Sequence, residues 1–537
     1  MSAEVPQVVP VTLRNTARTC VLLALILLAA ASLRIYRLNE KSFWFDEFAS
    51  VELPMGRGYA HYTLPDNVII EKPPNLTDPA QARPILTLWY SEQAGHLPPL
   101  YVVVIRLWGE VLGFSQGSIR AFSVLTSVLA IAVLFLAVRE LSGTTAALWA
   151  ALLMALAGPQ IQYGQEARNY ALLLLEGLGA IAALARIERR GPTKWREAAL
   201  IVCVLGMTLT HYFAIGAILA LAVYGVVALR GRTRIRVIGC FAIAAVLWGI
   251  LGAPLALRHR HNLEDPRSTG FVQDDSPGHL ARTAKRIALL PVRYFTEPMS
   301  NSVAPAVVGA AGFALAILLP LRGRRDLLLW ALWLWLTILP LVALDIARRT
   351  SHLDYIRYTL LASPAMYAIV ASALADSRVR WMRHAVPALV ALACVLAVNA
   401  AYSAWWKADW RVLAAAIDRD TKPGDVIVFW RGPNYEAYPN AAFLHTTYYR
   451  RSPLGPIVLM QRPPDAALAE QLRRAPGVLI VSLTGEHADD AVPSATLQWR
   501  AFEPGAGGLW RAAWNSPTTQ SSARRNRLNQ SDNSTPR

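Results

Sequence analysis

The chain reads as a mainly α, polytopic membrane protein with a large first outer loop and a small C-terminal α/β domain outside the membrane. Three observations predict this class. Of 537 residues, 54% are hydrophobic and only 17% charged. Apolar runs of about twenty residues, the length that crosses a bilayer, recur along the first 400 positions. Short clusters of Arg and Lys separate them, as in cytoplasmic loops, so the formal charge of +17 reflects topology and no nucleic-acid partner is expected. Cys20, Cys203, Cys240 and Cys394 all sit in apolar runs without CxxC or zinc spacing, so neither a disulfide framework nor a thiolate site is indicated.

Residues 1–18 carry Arg14 and Arg18 and are read as cytoplasmic, with the first span from Thr19 to Leu33 crossing outward. A cleaved signal peptide is the rival reading, since the small residues from Ala29 to Ser32 resemble a cleavage site, but many spans follow. The stretch from Glu40 to about Gly95 is too polar to cross and forms an outer loop. LPPLYVVVIRLWGEVLG, 97–113, contains Arg106 and Glu110 and is marginal in length, so it is read as lying at the interface or re-entering. Further spans follow at about 119–138, 145–160, 170–187, 197–211, 212–229, 235–256, 303–321, 326–345, 355–375 and 384–401, about eleven with the first. Alternation then puts Arg139, the cluster Arg186, Arg189, Arg190, Lys194 and Arg196, the cluster Arg230, Arg232, Arg234 and Arg236, Arg322 to Arg325, and Arg378 to Arg383 inside. It also puts Asp46, Glu47, His96, residues 165–170, His211, the 257–300 loop and Arg357 outside.

The resulting division is a cytoplasmic N-terminus at 1–18, a membrane domain at 19–401 with its first outer loop at about 40–118, a soluble domain at 402–515 and a disordered tail at 516–537. In the soluble part, DWRVLAAAID and AALAEQLRRA have helical period, while DVIVFW, PIVLM and VLIVSL look like buried strands.

SFWFDEFAS, 42–50, holds the candidate chemical centre. Carboxylates at mid-membrane are costly, so Asp46 and Glu47 belong at or beyond the surface, with Phe43, Trp44, Phe45 and Phe48 read as interfacial anchors. Ordinary solvated loop charge is the plain alternative. His96 precedes two prolines that fix the entry to the interfacial helix. Glu166 and Arg168, in QYGQEARNYALLLL, stand near a helix start, where exposed N–H groups attract anions; a cap with an internal ion pair is the alternative. His211 in THYF is more commonly a turn residue. Arg258 and Arg260, with Arg348, Arg349, Arg357 and Tyr358, put basic groups on the outer side against the usual bias, which suggests an anion, although span-end arginines also snorkel to headgroups.

FWFDEF, GHLPPLY, GQEARNYALLL, THYF and IRYTLLASPA, in this order and spacing, resemble the bacterial membrane glycosyltransferases of the GT-C class. The likeness is greatest to family 39, which includes protein O-mannosyltransferases and lipid A aminoarabinose transferases, and spans about residues 15–400. It implies transfer of a sugar from a polyprenyl-phosphate donor to a glycan, lipid or protein acceptor on the outer face of the bacterial inner membrane. The first-loop acid of the family maps to Asp46 as base, with Glu47 its neighbour, and His96 stands near the carrier phosphate. Arg258 and Arg260 are carried over only as basic residues of a later outer loop. No cofactor is required. Glu47, Glu166 and His96 have no spacing that specifies a metal, so a divalent cation is left open. A transporter or flippase of polyprenyl-linked sugars is the alternative from another class, but it calls for midplane charges and internal repeats. An inactive assembly partner is a third, and the intact Asp46 argues against it.

Overall fold

The computed structural model describes residues 13–90, 98–255, 257, 272–297, 312, 314, 316–321, 323–375, 377–403, 409–430, 439–450, 453–482, 488–492, 494–503 and 507–514. The chain divides into two compact units, Met1–Leu38 with Ile85–Trp405, and Asn39–Pro84 with Trp406–Arg537. The segment 39–84, expected as part of the membrane domain, thus clusters with the C-terminal residues.

The first unit is helical. It opens with α1 (Leu13–Ile35); the chain then leaves for the second unit, which contains α2 (Phe45–Glu52). It returns through α3 (Leu86–Tyr90), α4 (Leu100–Leu112), α5 (Gln116–Ser142), α6 (Thr144–Leu156), α7 (Gly158–Gln165) and α8 (Tyr170–Arg190). There follow α9 (Lys194–Thr210), α10 (Ile215–Val227), α11 (Gly231–Leu251), α12 (His279–Thr296), α13 (Leu328–Arg348), α14 (Ser363–Ser372) and α15 (Met382–Ser403). Among the described residues six helices are long and apolar enough to cross a membrane, and a bent pair would make a seventh. This is a multi-pass membrane protein. The expected span at 303–321 lies largely outside the described residues.

At 13 residues α4 is about 20 Å long, too short for a bilayer core of about 30 Å. Its Arg106 Nε bonds Glu110 Oε1 at 2.6 Å, one turn on, so the two charges neutralise each other locally. Three other expectations are modified. The span at 145–160 is two helices, α6 and α7, bent by 60°. The one at 355–375 starts as three successive 3₁₀ turns, His352–Asp354, Ile356–Tyr358 and Leu360–Ala362, before α14. The 257–300 loop contains α12, which is amphipathic.

The bend has an identifiable cause. Pro159 has no N–H to continue the ladder of α6, so it is tolerated only in the first turn of a new helix, and Ala157 before that turn adopts an extended ψ of 126°. The freed carbonyls are met by a cation. Arg34, fully buried, donates from Nη1 to Ala155 O (3.1 Å) and Ala30 O (3.1 Å), from Nη2 to Met154 O (3.3 Å), and from Nε to Ser127 Oγ (2.7 Å). The negative end of α6 therefore supplies the charge complement. Gly164 makes this possible: a Cβ there would stand 2.9 Å from Arg34 Nε and from Ser127 Oγ. Gly216 serves α10 likewise, since a Cβ would come within 2.2 Å of Leu336 O on α13. Leu134, Phe135, Leu178, Ile181, Trp330 and Trp333 fill the core, and the buried Trp333 indole donates to Leu361 O at 2.7 Å.

The second unit is a six-stranded sheet with helices. Its strands are β1 (Ile69–Ile70), β2 (Val426–Trp430), β3 (Ile457–Met460), β4 (Val478–Ser482), β5 (Thr496–Glu503) and β6 (Gly507–Ala513), in the order β1-β3-β2-β4-β6-β5. β2 lies parallel to β3 and β4, and all three are buried on both faces, which is why they read as continuous apolar runs. β6 and β5 extend one side antiparallel. β1, from the first loop, closes the other, pairing Ile69 with Val458 and Ile70 with Ile457. The helices are α16 (Trp410–Asp420), α17 (Pro439–Tyr449) and α18 (Ala466–Arg474). Asp465 caps α18, accepting the Leu468 N–H at 2.8 Å.

Candidate functional site

Each unit carries part of the candidate machinery. In the second, α2 begins at Trp44 and places Asp46 and Glu47 in its first turn, where the helix dipole favours negative charge. Asp46 is half-buried, whereas Glu47 is fully buried and its Oε2 accepts the Trp44 N–H at 3.2 Å. Glu47 thus closes the start of its own helix.

The flanking aromatics differ from the expectation. Phe43 and Phe48 are not interfacial anchors but core residues, 0% and 1% exposed. Phe43 donates its N–H to Tyr449 Oη at 2.7 Å, and its ring meets Phe48 and Tyr448. Phe48 stacks on the His445 imidazole at 3.8 Å. Ser42 Oγ accepts the Trp410 N–H at 3.2 Å. Only Phe45 remains well exposed and Trp44 half-buried. Alternating aromatics beside a span suit a membrane interface and a folded core equally well, and the partners that decide between them lie about 400 positions away.

In the first unit, three of the motifs converge. Glu166 and Arg168 occupy the turn between α7 and α8, with Glu166 buried and Arg168 half-buried. Asn169 Nδ2 donates to Thr210 O at 2.8 Å, tying this turn to the end of α9. His211 follows immediately, with its ring 6.3 Å from Tyr170, which itself lies 6.0 Å beneath the Arg168 guanidinium. His211 Nδ1 accepts the Phe213 N–H at 3.1 Å, so the neutral ring carries its proton on Nε2. His211 is a turn residue and keeps one donor besides. Arg357 and Tyr358 come from the 3₁₀ turns before α14. The Arg357 guanidinium lies 5.0 Å from both the Tyr355 and Tyr358 rings, which fixes a long side chain by cation–π contact.

Five of these residues and their neighbours line one open cleft: Tyr170, His211, Phe213, Arg357 and Tyr358, over Leu173, Leu360 and Leu361. Hydrogen-bond donors and one permanent cation on an aromatic and aliphatic floor suit a ligand with an anionic head and an apolar body. His211 and Arg357, far apart in sequence, thus share a wall.

Behind the cleft stands a residue that sequence reading passed over. Asp345, buried near the end of α13, accepts at Oδ1 from Thr350 Oγ1 (2.7 Å), His352 N–H (3.0 Å) and His352 Nδ1 (2.7 Å), and at Oδ2 from Leu353 N–H (3.0 Å). It folds 350–353 into a turn that sets the His352 ring 5.5 Å from Tyr358 and 6.1 Å from Phe213. An Asp inside LVALDIARR was the available signal. Next to it, Asp274 accepts from Arg282 Nη2 (2.8 Å) and Arg286 Nη1 (3.1 Å). Hydrogen bonds from Ser276 and Arg282 hold the Asp274 carboxyl well below the usual carboxylate range.

His96, Arg258 and Arg260 lie outside the described residues. Arg348 and Arg349 are exposed at the end of α13, where Arg349 takes a left-handed φ of 51°. Among the described residues no group of three or more His, Cys, Asp or Glu side chains is arranged to hold a metal ion.

Comparison with known proteins adds a family match. The model described as dolichyl-phosphate-mannose-protein mannosyltransferase matches residues 96–256, less than a third of the chain, including Glu166, Arg168 and His211. No curated protein sequence matches the chain. Among solved structures, ArnT from Cupriavidus metallidurans in the apo state aligns with 13% identity and a TM-score of 0.45, over 93% of this chain and 98% of that one. The Archaeoglobus fulgidus oligosaccharyltransferase tethered with an acceptor peptide aligns with 14% identity and a TM-score of 0.48, over 93% and 74%. The arabinofuranosyltransferase AftD from Mycobacteria aligns with 15% identity and a TM-score of 0.46, over 93% and 42%.

Proposed function

We propose that this chain, a membrane glycosyltransferase of the GT-C class similar to family 39, transfers a sugar from a polyprenyl-phosphate carrier to an acceptor hydroxyl on the extracytoplasmic face of the bacterial inner membrane. The observation that carries the reading is the cleft of His211, Arg357 and Tyr358 over Leu173, Leu360 and Leu361, within and beside the family-matched segment. An anionic headgroup with an aliphatic tail satisfies both of its halves, and entry from the bilayer keeps the tail in hydrocarbon. Arg168 and Glu166, on the neighbouring turn, are assigned to the donor sugar or phosphate. His96, Arg258 and Arg260 keep their assignment to the same carrier on sequence grounds alone.

In the reaction, the acceptor oxygen bonds to the anomeric carbon as the bond from that carbon to the phosphate oxygen breaks. Asp46 takes the hydroxyl proton, and the carrier phosphate leaves as an anion on which Arg357, Tyr358 and His211 donate. A phosphate needs no strong acid to leave, so one carboxylate base suffices. Attack from the face opposite the leaving group inverts the anomeric centre. Glu47 supports the base by closing the first turn of α2. No step here requires a cofactor, and a divalent ion is left open.

The test is Asp46→Asn in membrane vesicles given a labelled polyprenyl-phosphate sugar. Product formation is expected to fall about 10²-fold or more, the usual worth of a general base, while the carrier still binds. Turnover at the wild-type rate would remove Asp46 from the chemistry.

A further inference from the structure

The C-terminal residues supply the seat of α2. Its buried face lies on α17, through the Phe48–His445 stack (3.8 Å, 19° between planes); the exposed Phe45 meets the edge of the same imidazole (6.0 Å), and Trp410 of α16 meets it from the other element at 4.4 Å. His445 is therefore enclosed by three aromatic rings and is only 2% exposed. Neither of its ring nitrogens has a hydrogen-bond partner among the described residues. A buried polar ring left without partners is rare enough to need a reason. Packing alone would be met by Phe at lower cost, since an aromatic hydrocarbon carries no donor or acceptor to desolvate.

We infer that His445 is a positioning residue for Asp46, holding α2 in place while neutral and releasing it when the imidazole takes a proton. This rests on the reading of Asp46 as base. The charged and titratable groups on the packed elements are Asp46, Glu47 and Glu52 on α2, His61 and Tyr62 on the turn Ala60–Thr63, Tyr448 and Tyr449 on α17, Asp418 paired with Arg450 at 2.7 Å, and Arg411, Arg419 and Asp420 on α16. Glu52 is already engaged: its Oε2 bonds His61 Nδ1 at 2.7 Å and its Oε1 accepts the His61 N–H at 2.9 Å. No carboxylate is therefore seen bonded to the His445 ring among the described residues. Burial, then the neighbouring His61, pushes the His445 imidazole well below its ordinary value of 6.5.

The sign follows from that direction. The unfolded or undocked imidazole binds a proton below about 6.5 and the docked one does not, so docking is favoured above that pH and weakens as pH falls. At pH 5.5 the difference reaches about tenfold in the docking equilibrium.

The experiment is hydrogen exchange of residues 43–52 in the full-length protein at pH 7.5 and 5.5, corrected for intrinsic rates, for wild type, His445→Phe and His445→Gln. Wild type is expected to lose about tenfold protection on acidification and both variants less than twofold. Should Phe loosen α2 at both pH values, Gln carries the comparison. Equal acid losses in all three proteins overturn the inference. So does loosening by both variants at pH 7.5 with the acid loss retained. In parallel, the acid fall in kcat is expected to be shallower in the variants with the donor KM unchanged, and an identical fall removes the link to catalysis. If Asp46→Asn is fully active, the base assignment fails while the exchange result still decides whether His445 governs α2.

Discussion

Arg34 shows how one side chain decides a local geometry in this protein. Its guanidinium binds three backbone carbonyls and a hydroxyl where α6 ends and α7 turns away. Arg34→Ala strips partners from the buried carbonyls of Met154 and Ala155, and is expected to lower stability by about 3 kcal/mol, visible as a reduced thermal midpoint in detergent. Gly164→Ala should act in the same direction by crowding the guanidinium, and midpoints unchanged in both variants would refute the brace. Arg357 is the parallel case in the cleft. Arg357→Lys keeps the charge but loses the planar face lying on Tyr355 and Tyr358, so donor affinity should weaken about tenfold with acceptor KM unchanged. Of these two arginines only Arg357 was legible in the sequence. The alternation of spans reads Arg357 as a basic residue against the usual charge bias, whereas Arg34 at a span end resembles any snorkelling arginine until its partners 90 to 120 positions onward are known. Asp46 and Glu47 look alike in the sequence, as carboxylates a membrane would not accept, and only the structure separates them: Glu47 caps its helix and Asp46 is half-buried.

At the scale of elements, α12 buries Leu290, Tyr294 and Phe295 in the core and carries a chain of ionic contacts along its other side. Asp274 gathers Arg282 and Arg286, Arg286 also bonds Asp354 at 2.7 Å, and Arg293 pairs with Glu297 at 2.7 Å. Because the Asp274 carboxyl is held below its unfolded value of 3.8, its contribution is complete above that pH and disappears only as pH falls through the depressed folded value. Protection of residues 272–297 against exchange should therefore persist at pH 4 in wild type. Asp274→Asn should reduce it already at pH 7, and equal protection in the two proteins would dismiss the latch. The sequence hid this helix because Pro291 stands inside it and its charged residues, Arg282, Lys285, Arg286 and Arg293, read as a polar loop. It disclosed β2, β3 and β4 readily, since strands covered on both faces appear as uninterrupted apolar runs. The hairpin of β5 and β6 and the helix α17 were missed, for neither has such a run.

For the molecule as a whole, composition and the spacing of basic clusters were enough to give a multi-pass membrane protein with an added α/β part. What they could not give is that the second unit is discontinuous. β1 has two residues, and its pairing with β3 is a contact between positions 69–70 and 457–458, for which no local pattern exists. Deletion of residues 406–537 should leave 39–84 without its sheet edge and without the rings of α17. Limited proteolysis of such a truncation is expected to cut within 39–84 at least tenfold faster than in the full chain. Equal rates would mean that the loop holds its shape unaided.

Discontinuity also sets a timetable for biogenesis. Between Pro84 and Trp406 roughly 320 residues must be made, which at about 5–20 residues per second takes about 20 to 60 s. Throughout that interval the nascent α2 and β1 wait for companions not yet translated. The Asp46 helix must therefore be assembled last, after the intervening spans have entered the bilayer, and a ribosome stalled before residue 406 would release a chain with its membrane helices made but α2 without its seat.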